Sequence, residues 1–110
     1  MMTLSKAQLL EDFGEITATL DLENREEIIE HKKIDDECGI LLVQGRIDTL
    51  DKFTKRNKVT SLPALKRMYG RTWTEYLKGG RMSNYYQGVL DTLSAIAEFI
   101  YDEDITEDYE

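Results

Sequence analysis

The chain has 110 residues, 41% hydrophobic and 33% charged, with a formal net charge of −8. That length fits one domain with a modest core, and the balance of apolar and charged residues excludes a disordered chain. One cysteine, Cys38, excludes an internal disulfide, and one histidine, His31, leaves little for metal or nucleophilic chemistry.

The longest purely apolar run, residues 40–43, is too short to span a bilayer. No apolar run near the N-terminus suits a signal peptide. The expected location is cytoplasmic, meaning the host cell's cytoplasm for a phage-encoded protein.

Charge is segregated along the chain. Residues 1–51 carry thirteen acids against five bases, residues 52–81 one acid against nine bases, and residues 82–110 eight acids and no base. The middle third is therefore net +8 between two thirds that are each net −8. Such a pattern either neutralises itself within one fold or presents a basic face to a polyanion or an acidic protein.

In chain order, Leu9, Phe13, Ile16 and Leu20 fall at helical spacing and predict an amphipathic helix over 5–20 with Ser5 as N-cap. The alternation in 17–22 also fits a short strand, but no partner strand lies nearby. Asn24 reads as the cap of a second helix over 24–33, with acids at its start, Lys32 and Lys33 at its end, and Ile28 and Ile29 buried. Asp35 and Asp36 form the junction to a third helix over 37–56. Its stripe is Ile40, Val43, Ile47 and Leu50, with Cys38 as a small buried residue.

Ser61 with Pro63 opens a short helix that Gly70 closes as a C′ glycine. Thr72 and Glu75 match a capping box for another, which Gly79-Gly80 ends. Ser83 caps a last helix with a broad apolar face along Val89, Leu93, Ile96 and Ile100, a face suited to a homodimer. The tail, 102–110, has six acids in nine residues and reads as frayed. The expected fold is all-α. It is a single domain over 1–101, a bundle of five to six helices with a central helix-turn-helix-like unit, followed by an acidic tail.

One echo crosses the chain. Gln44-Gly45-Arg46-Ile47-Asp48-Thr49-Leu50 matches Gln87-Gly88-Val89-Leu90-Asp91-Thr92-Leu93. A helix-interior glycine costs about 1 kcal/mol relative to alanine. Its use twice in one context predicts close approach of another helix at each glycine.

Chemistry has little support. Glu27, His31 and Asp35 share one helix face at four-residue spacing, a pattern far commoner on solvated surfaces than in metal sites. Cys38 has no second histidine, and no glycine-rich phosphate loop is present. No cofactor and no enzymatic activity are expected. The candidate contact surface is the basic segment 52–81, through Lys52, Lys55, Arg56, Lys58, Lys66, Arg67, Arg71, Lys78 and Arg81. These residues would meet phosphates, about six of them, with affinity falling roughly a thousandfold from low to moderate salt.

Within that segment, Ser61, Leu65, Lys66, Arg67, Tyr69, Gly70, Trp73, Glu75, Leu77 and Gly80 resemble the short tri-helical repeat found beside homing endonucleases and in phage proteins. The resemblance covers residues 60–80. It implies a DNA-binding helix-turn-helix with Lys66, Arg67 and Arg71 facing DNA. It departs from the repeat where two residues, Arg71 and Thr72, separate Gly70 from Trp73, and where Thr60 replaces a proline. In size and acidity the whole chain also resembles anti-CRISPR and related anti-defence proteins. That resemblance implies a protein-binding inhibitor using Glu26, Glu27, Glu30, Asp35, Asp36, Asp102, Glu103 and Asp104. The expected partner is nucleic acid or a nucleic-acid-binding protein complex, with no membrane. A phage structural or assembly component is the third reading.

Overall fold

A computed structural model describes residues 6–56 and 60–109; the side chains of 6, 7, 9, 10, 54–56 and 108 lie outside the description. Ser5, Leu9, Lys55, Arg56 and Lys58, named above, therefore fall wholly or by their side chains outside the described residues. The fold is all-helical: α1 (Lys6–Lys33), α2 (Glu37–Arg56), α3 (Leu62–Leu77), α4 (Ser83–Tyr101) and a terminal 3-10 turn, Glu107–Tyr109. No described helix is long and apolar enough to cross a membrane.

Four helices replace the five to six expected because two expected breaks do not occur. The first lies within α1. Asn24 is no cap; it is 4% exposed, in a core-facing stripe with Phe13, Thr17 and Ile28. That stripe keeps helical spacing through the expected junction, so tertiary burial overrides the local capping signal. Thr17 sits in it satisfied, its hydroxyl donating to the Phe13 carbonyl at 2.7 Å. Ile28 is buried as expected, but Ile29 is exposed.

The second missing break is at Gly70. Helix α3 runs through it from the Ser61 N-cap, whose hydroxyl accepts from the Ala64 N–H, to Lys78. The Thr72 hydroxyl donates to the Met68 carbonyl at 2.9 Å, an interior bond and not a cap. No helix-turn-helix exists here. Gly70 is small for another reason: a Cβ there would lie 2.7 Å from the Tyr109 hydroxyl. The tail folds back onto α3 at this point.

That return also corrects the frayed tail. Ile105 is buried in the main core, and the Tyr109 ring packs 5.2 Å from Tyr69 and 5.5 Å from Trp73. The Tyr101 hydroxyl donates to the Thr60 carbonyl at 2.6 Å. Two side chains, Ile105 and Tyr109, thus anchor a segment whose acids suggested a solvated end.

Two of the remaining junctions follow the sequence closely, and the start of α4 does not. Asp35 takes the left-handed conformation that ends α1, and Asp36 accepts from the Gly39 N–H to cap α2. Gly79 and Gly80, both with positive φ, end α3. Met82, not Ser83, precedes α4, and no side chain caps it. Cys38 is exposed in the first turn of α2, where helix rotation turns it away from the core.

Helix α4 is the centre of the bundle. Leu90, Leu93, Ile96, Ala97 and Ile100 are all at most 5% exposed, covered by the chain's own elements. The broad face that suggested a homodimer is thus covered within the chain. Helices α2 and α3 both lie along α4 and scarcely meet each other, which leaves a cleft between them.

Candidate functional site

The cleft between α2 and α3 is floored by Val89 and Leu93 of α4 and has a volume of about 550 Å³. Lys52 of α2 and Arg67 and Arg71 of α3 line its walls, with no acid among the lining residues. The continuity of α3 creates this arrangement. Four residues apart on one unbroken helix, Arg67 and Arg71 stack a turn apart on the same face. A turn at Gly70 would have sent them in different directions.

The nine basic candidates separate by pairing. Lys78 lies 2.9 Å from Glu75, and Arg81 is paired with Glu37 at the start of α2. The carboxylate holds the Lys78 ammonium above its usual range, chiefly through their hydrogen bond. Among the described residues, Lys52, Lys66, Arg67 and Arg71 have no carboxylate within ion-pair distance. Three of these four face one cleft, and exposed Lys66 extends the positive surface along α3. Chemically, the site is an apolar floor between unneutralised cations, suited to an anion with flat or apolar parts.

Most acidic candidates have structural partners. Glu27 binds Arg46 at 3.0 Å and Glu30 binds Lys33 at 3.2 Å. Asp35 and Asp36 form the α1–α2 junction, and Asp102 ends α4 in a left-handed conformation. Asp104 accepts from the Thr106 hydroxyl and backbone N–H, which holds its carboxyl below the usual range. Asp102, Glu103 and Asp104 line a shallow acidic hollow with Glu98. Glu26 is exposed on α1.

His31 meets Asp36, with Nδ1 3.0 Å from a carboxylate oxygen but out of hydrogen-bond alignment, and Glu27 at 3.5 Å. Asp36 thus takes the place the spacing assigned to Asp35. Among the described residues, no group of three or more His, Cys, Asp or Glu side chains is placed to hold a metal.

The echoed segments pair with each other, as the two glycines predicted. A Cβ on Gly45 would run into the Tyr85 carbonyl, and one on Gly88 into the Leu42 carbonyl. The side chains repeat the relation. Gln44 donates to Asp48 at 2.8 Å, and Gln87 to Asp91 at 2.8 Å. Asp48 also accepts from the Tyr85 hydroxyl at 2.6 Å, and Asp91 from Arg46 at 3.1 Å. Burial, then the bond to Asp48, pushes the Tyr85 phenol up to about 12. Arg46 thereby ties α1, through Glu27, to α4, through Asp91. Apart from Glu27, these polar residues were not among the candidates; the repetition of Gln and Asp beside each glycine was their signal.

Set against known proteins, the chain matches no family model, no curated protein and no solved structure.

Proposed function

We propose that this is a non-enzymatic binding protein that grips the phosphate backbone of a nucleic acid, alone or within a nucleoprotein complex, through the α2–α3 cleft. The observation that carries this reading is the convergence of Lys52, Arg67 and Arg71, none with an acidic partner among the described residues, on one cleft with an apolar floor. Arginine suits such a site because its planar fork can hold two phosphate oxygens at once. The chain's net charge of −8 limits non-specific attraction, so binding depends on this local patch and not on a general basic surface. A compact acidic protein with a cationic cleft also suits a phage or mobile-element origin, as the resemblances in size and charge imply.

Pairing of Lys78 and Arg81 reduces the expected phosphate contacts from six to about four. The slope of log affinity on log salt should then be about −3.6 on duplex DNA, roughly a hundredfold loss between 50 and 200 mM salt. Fluorescence anisotropy with labelled single-stranded and duplex oligonucleotides measures it. Arg67→Glu combined with Arg71→Glu should abolish binding, and Lys78→Glu should leave it nearly unchanged. No binding to any oligonucleotide at low salt, or equal binding by the double variant, would overturn the reading.

A further inference from the structure

A second cleft, between α1 and the α2–α4 crossing, has a different character. It measures about 240 Å³ and is lined by Glu23, Glu27 and Asp91 around Arg46, with Leu20 and Ala95 as apolar walls. Three carboxylates face one guanidinium. That guanidinium is already committed, at 3.0 Å to Glu27 and 3.1 Å to Asp91, which leaves Glu23 without a cation.

Two buried polar side chains also line this cleft. Asn24 is 4% exposed and Thr92 is 3% exposed, and neither has a hydrogen-bond partner for its side chain among the described residues. Their polar atoms nevertheless stay open to the cleft, since the one fully enclosed side-chain polar atom without a partner among the described residues is His31 Nδ1. Thr92 carries an internal comparison. Its counterpart in the echoed segment, Thr49, is equally buried, yet its hydroxyl donates to the Gly45 carbonyl at 2.7 Å. Thr92 leaves that helical bond unmade, and Asn24 stands beside the same cleft where an apolar residue would fit the α1 stripe. Both offer oxygen acceptors beside uncompensated negative charge.

We infer that this cleft receives the side chain of a lysine or arginine from a partner protein. The cationic head would be accepted by the Asn24 amide oxygen, the Thr92 hydroxyl and the Glu23 carboxylate. Its alkyl stem would lie along Leu20 and Ala95, as long basic side chains do on apolar surface. A cation in this place halves the local excess of negative charge and gives both oxygens a donor. The site is distinct from the phosphate cleft and stands whether or not that reading holds. Lysine- and arginine-rich surfaces are what nucleic-acid-binding proteins present, so the two clefts suit the two components of one complex.

The test is an NMR titration of the full chain with N-acetyl-lysine methylamide and N-acetyl-arginine methylamide, with the norleucine analogue as uncharged control. Cationic probes should shift the Asn24 side-chain amide and the Arg46 Nε–H signals with millimolar dissociation constants; norleucine should not. Asn24→Leu should keep the fold, because the amide has no partner to lose, and weaken probe binding at least tenfold. Should that variant fail to fold, Glu23→Gln at the rim should still weaken binding several-fold. Shifts confined to the acidic hollow around Asp102 and Asp104, or unchanged binding by Glu23→Gln, would overturn the inference. Cadaverine binding tenfold tighter than the lysine probe would overturn the protein partner in favour of a free diamine.

Discussion

The contact between Gly45 and Gly88 makes a prediction whose sign differs from that of the same substitution elsewhere. In a helix interior, Gly→Ala is worth about 1 kcal/mol in favour of the folded state. Gly14 gives that unopposed value, since a Cβ there meets nothing within 4 Å. At Gly88 the added methyl would sit on the Leu42 carbonyl, which is backbone and cannot rotate away. Overpacking of this kind costs about 1–3 kcal/mol or more. With backbone as the obstacle the upper end applies, so Gly88→Ala should destabilise by a net ~2 kcal/mol. An unfolding entropy near 2.1 cal/mol/K per residue makes each kcal/mol worth about 4 °C in a chain of this size. Gly88→Ala should therefore lower Tm by roughly 8 °C while Gly14→Ala raises it by about 4 °C. Gly88→Leu should fall further still. Gly45→Ala should resemble Gly88→Ala, because its Cβ meets the Tyr85 carbonyl in the equivalent position. The double variant should cost less than the sum, since the first methyl already separates the helices that the second would push apart. Calorimetry on these five variants and the parent chain decides it. A stabilised Gly88→Ala would refute the close crossing and with it the packing of α2 on α4.

Three further outcomes follow from the same contacts. Deleting residues 105–110 removes buried Ile105 and the Tyr109 ring, which should cost about 3 kcal/mol and red-shift the fluorescence of Trp73, the single tryptophan; unchanged emission would mean the tail does not cover that ring. Tyr85 keeps its proton to about pH 12 when folded, against about 10 for an unfolded tyrosine. Its contribution to stability is therefore complete below pH 10 and lost as pH rises to 12. Denaturation across that range should show a decline that Tyr85→Phe reduces but does not abolish, because burial raises the Tyr101 phenol as well. Arg46→Lys cannot bridge Glu27 and Asp91 with one ammonium and should cost about 1 kcal/mol, whereas Arg46→Met leaves both carboxylates facing each other and should cost about twice that, read by urea midpoint.

Much of this architecture was legible in the residue order. Helical class, the bounds of α2, the Ser61 cap, the Asp35-Asp36 junction and the Gly79-Gly80 stop all rest on local chemistry, which acts within a few residues. The candidate site was half legible. Charge segregation pointed to residues 52–81, but which cations are free depends on acids outside that segment as well as within it. Glu37, far away in the chain, neutralises Arg81, while the local Glu75 takes Lys78. Charge counting along a sequence cannot see the first of these pairs. The acidic cleft beside α1 was less legible still, since Asn24 and Thr92 come together only when α1 packs beside α4.

The misread helix ends share one physical cause. A glycine or asparagine within a helical pattern has two meanings: it can end the helix, or it can leave space or a polar group where another element approaches. Gly45 and Gly88 were read in the second sense because they recur in matching surroundings. Gly70 and Asn24 were read in the first sense, and the structure gives them the second. The apolar spacing on either side separates the cases. Leu65, Tyr69, Trp73 and Tyr76 continue at helical intervals across Gly70, and Phe13, Thr17, Asn24 and Ile28 do so across the expected break at Asn24. A true terminus interrupts that register, as the two glycines after Leu77 do by taking positive φ. Where the register survives a small or polar residue, the residue marks an approach from outside the helix. At Gly70 the approach is by Tyr109, and at Asn24 it is the cleft assigned to a partner's basic side chain.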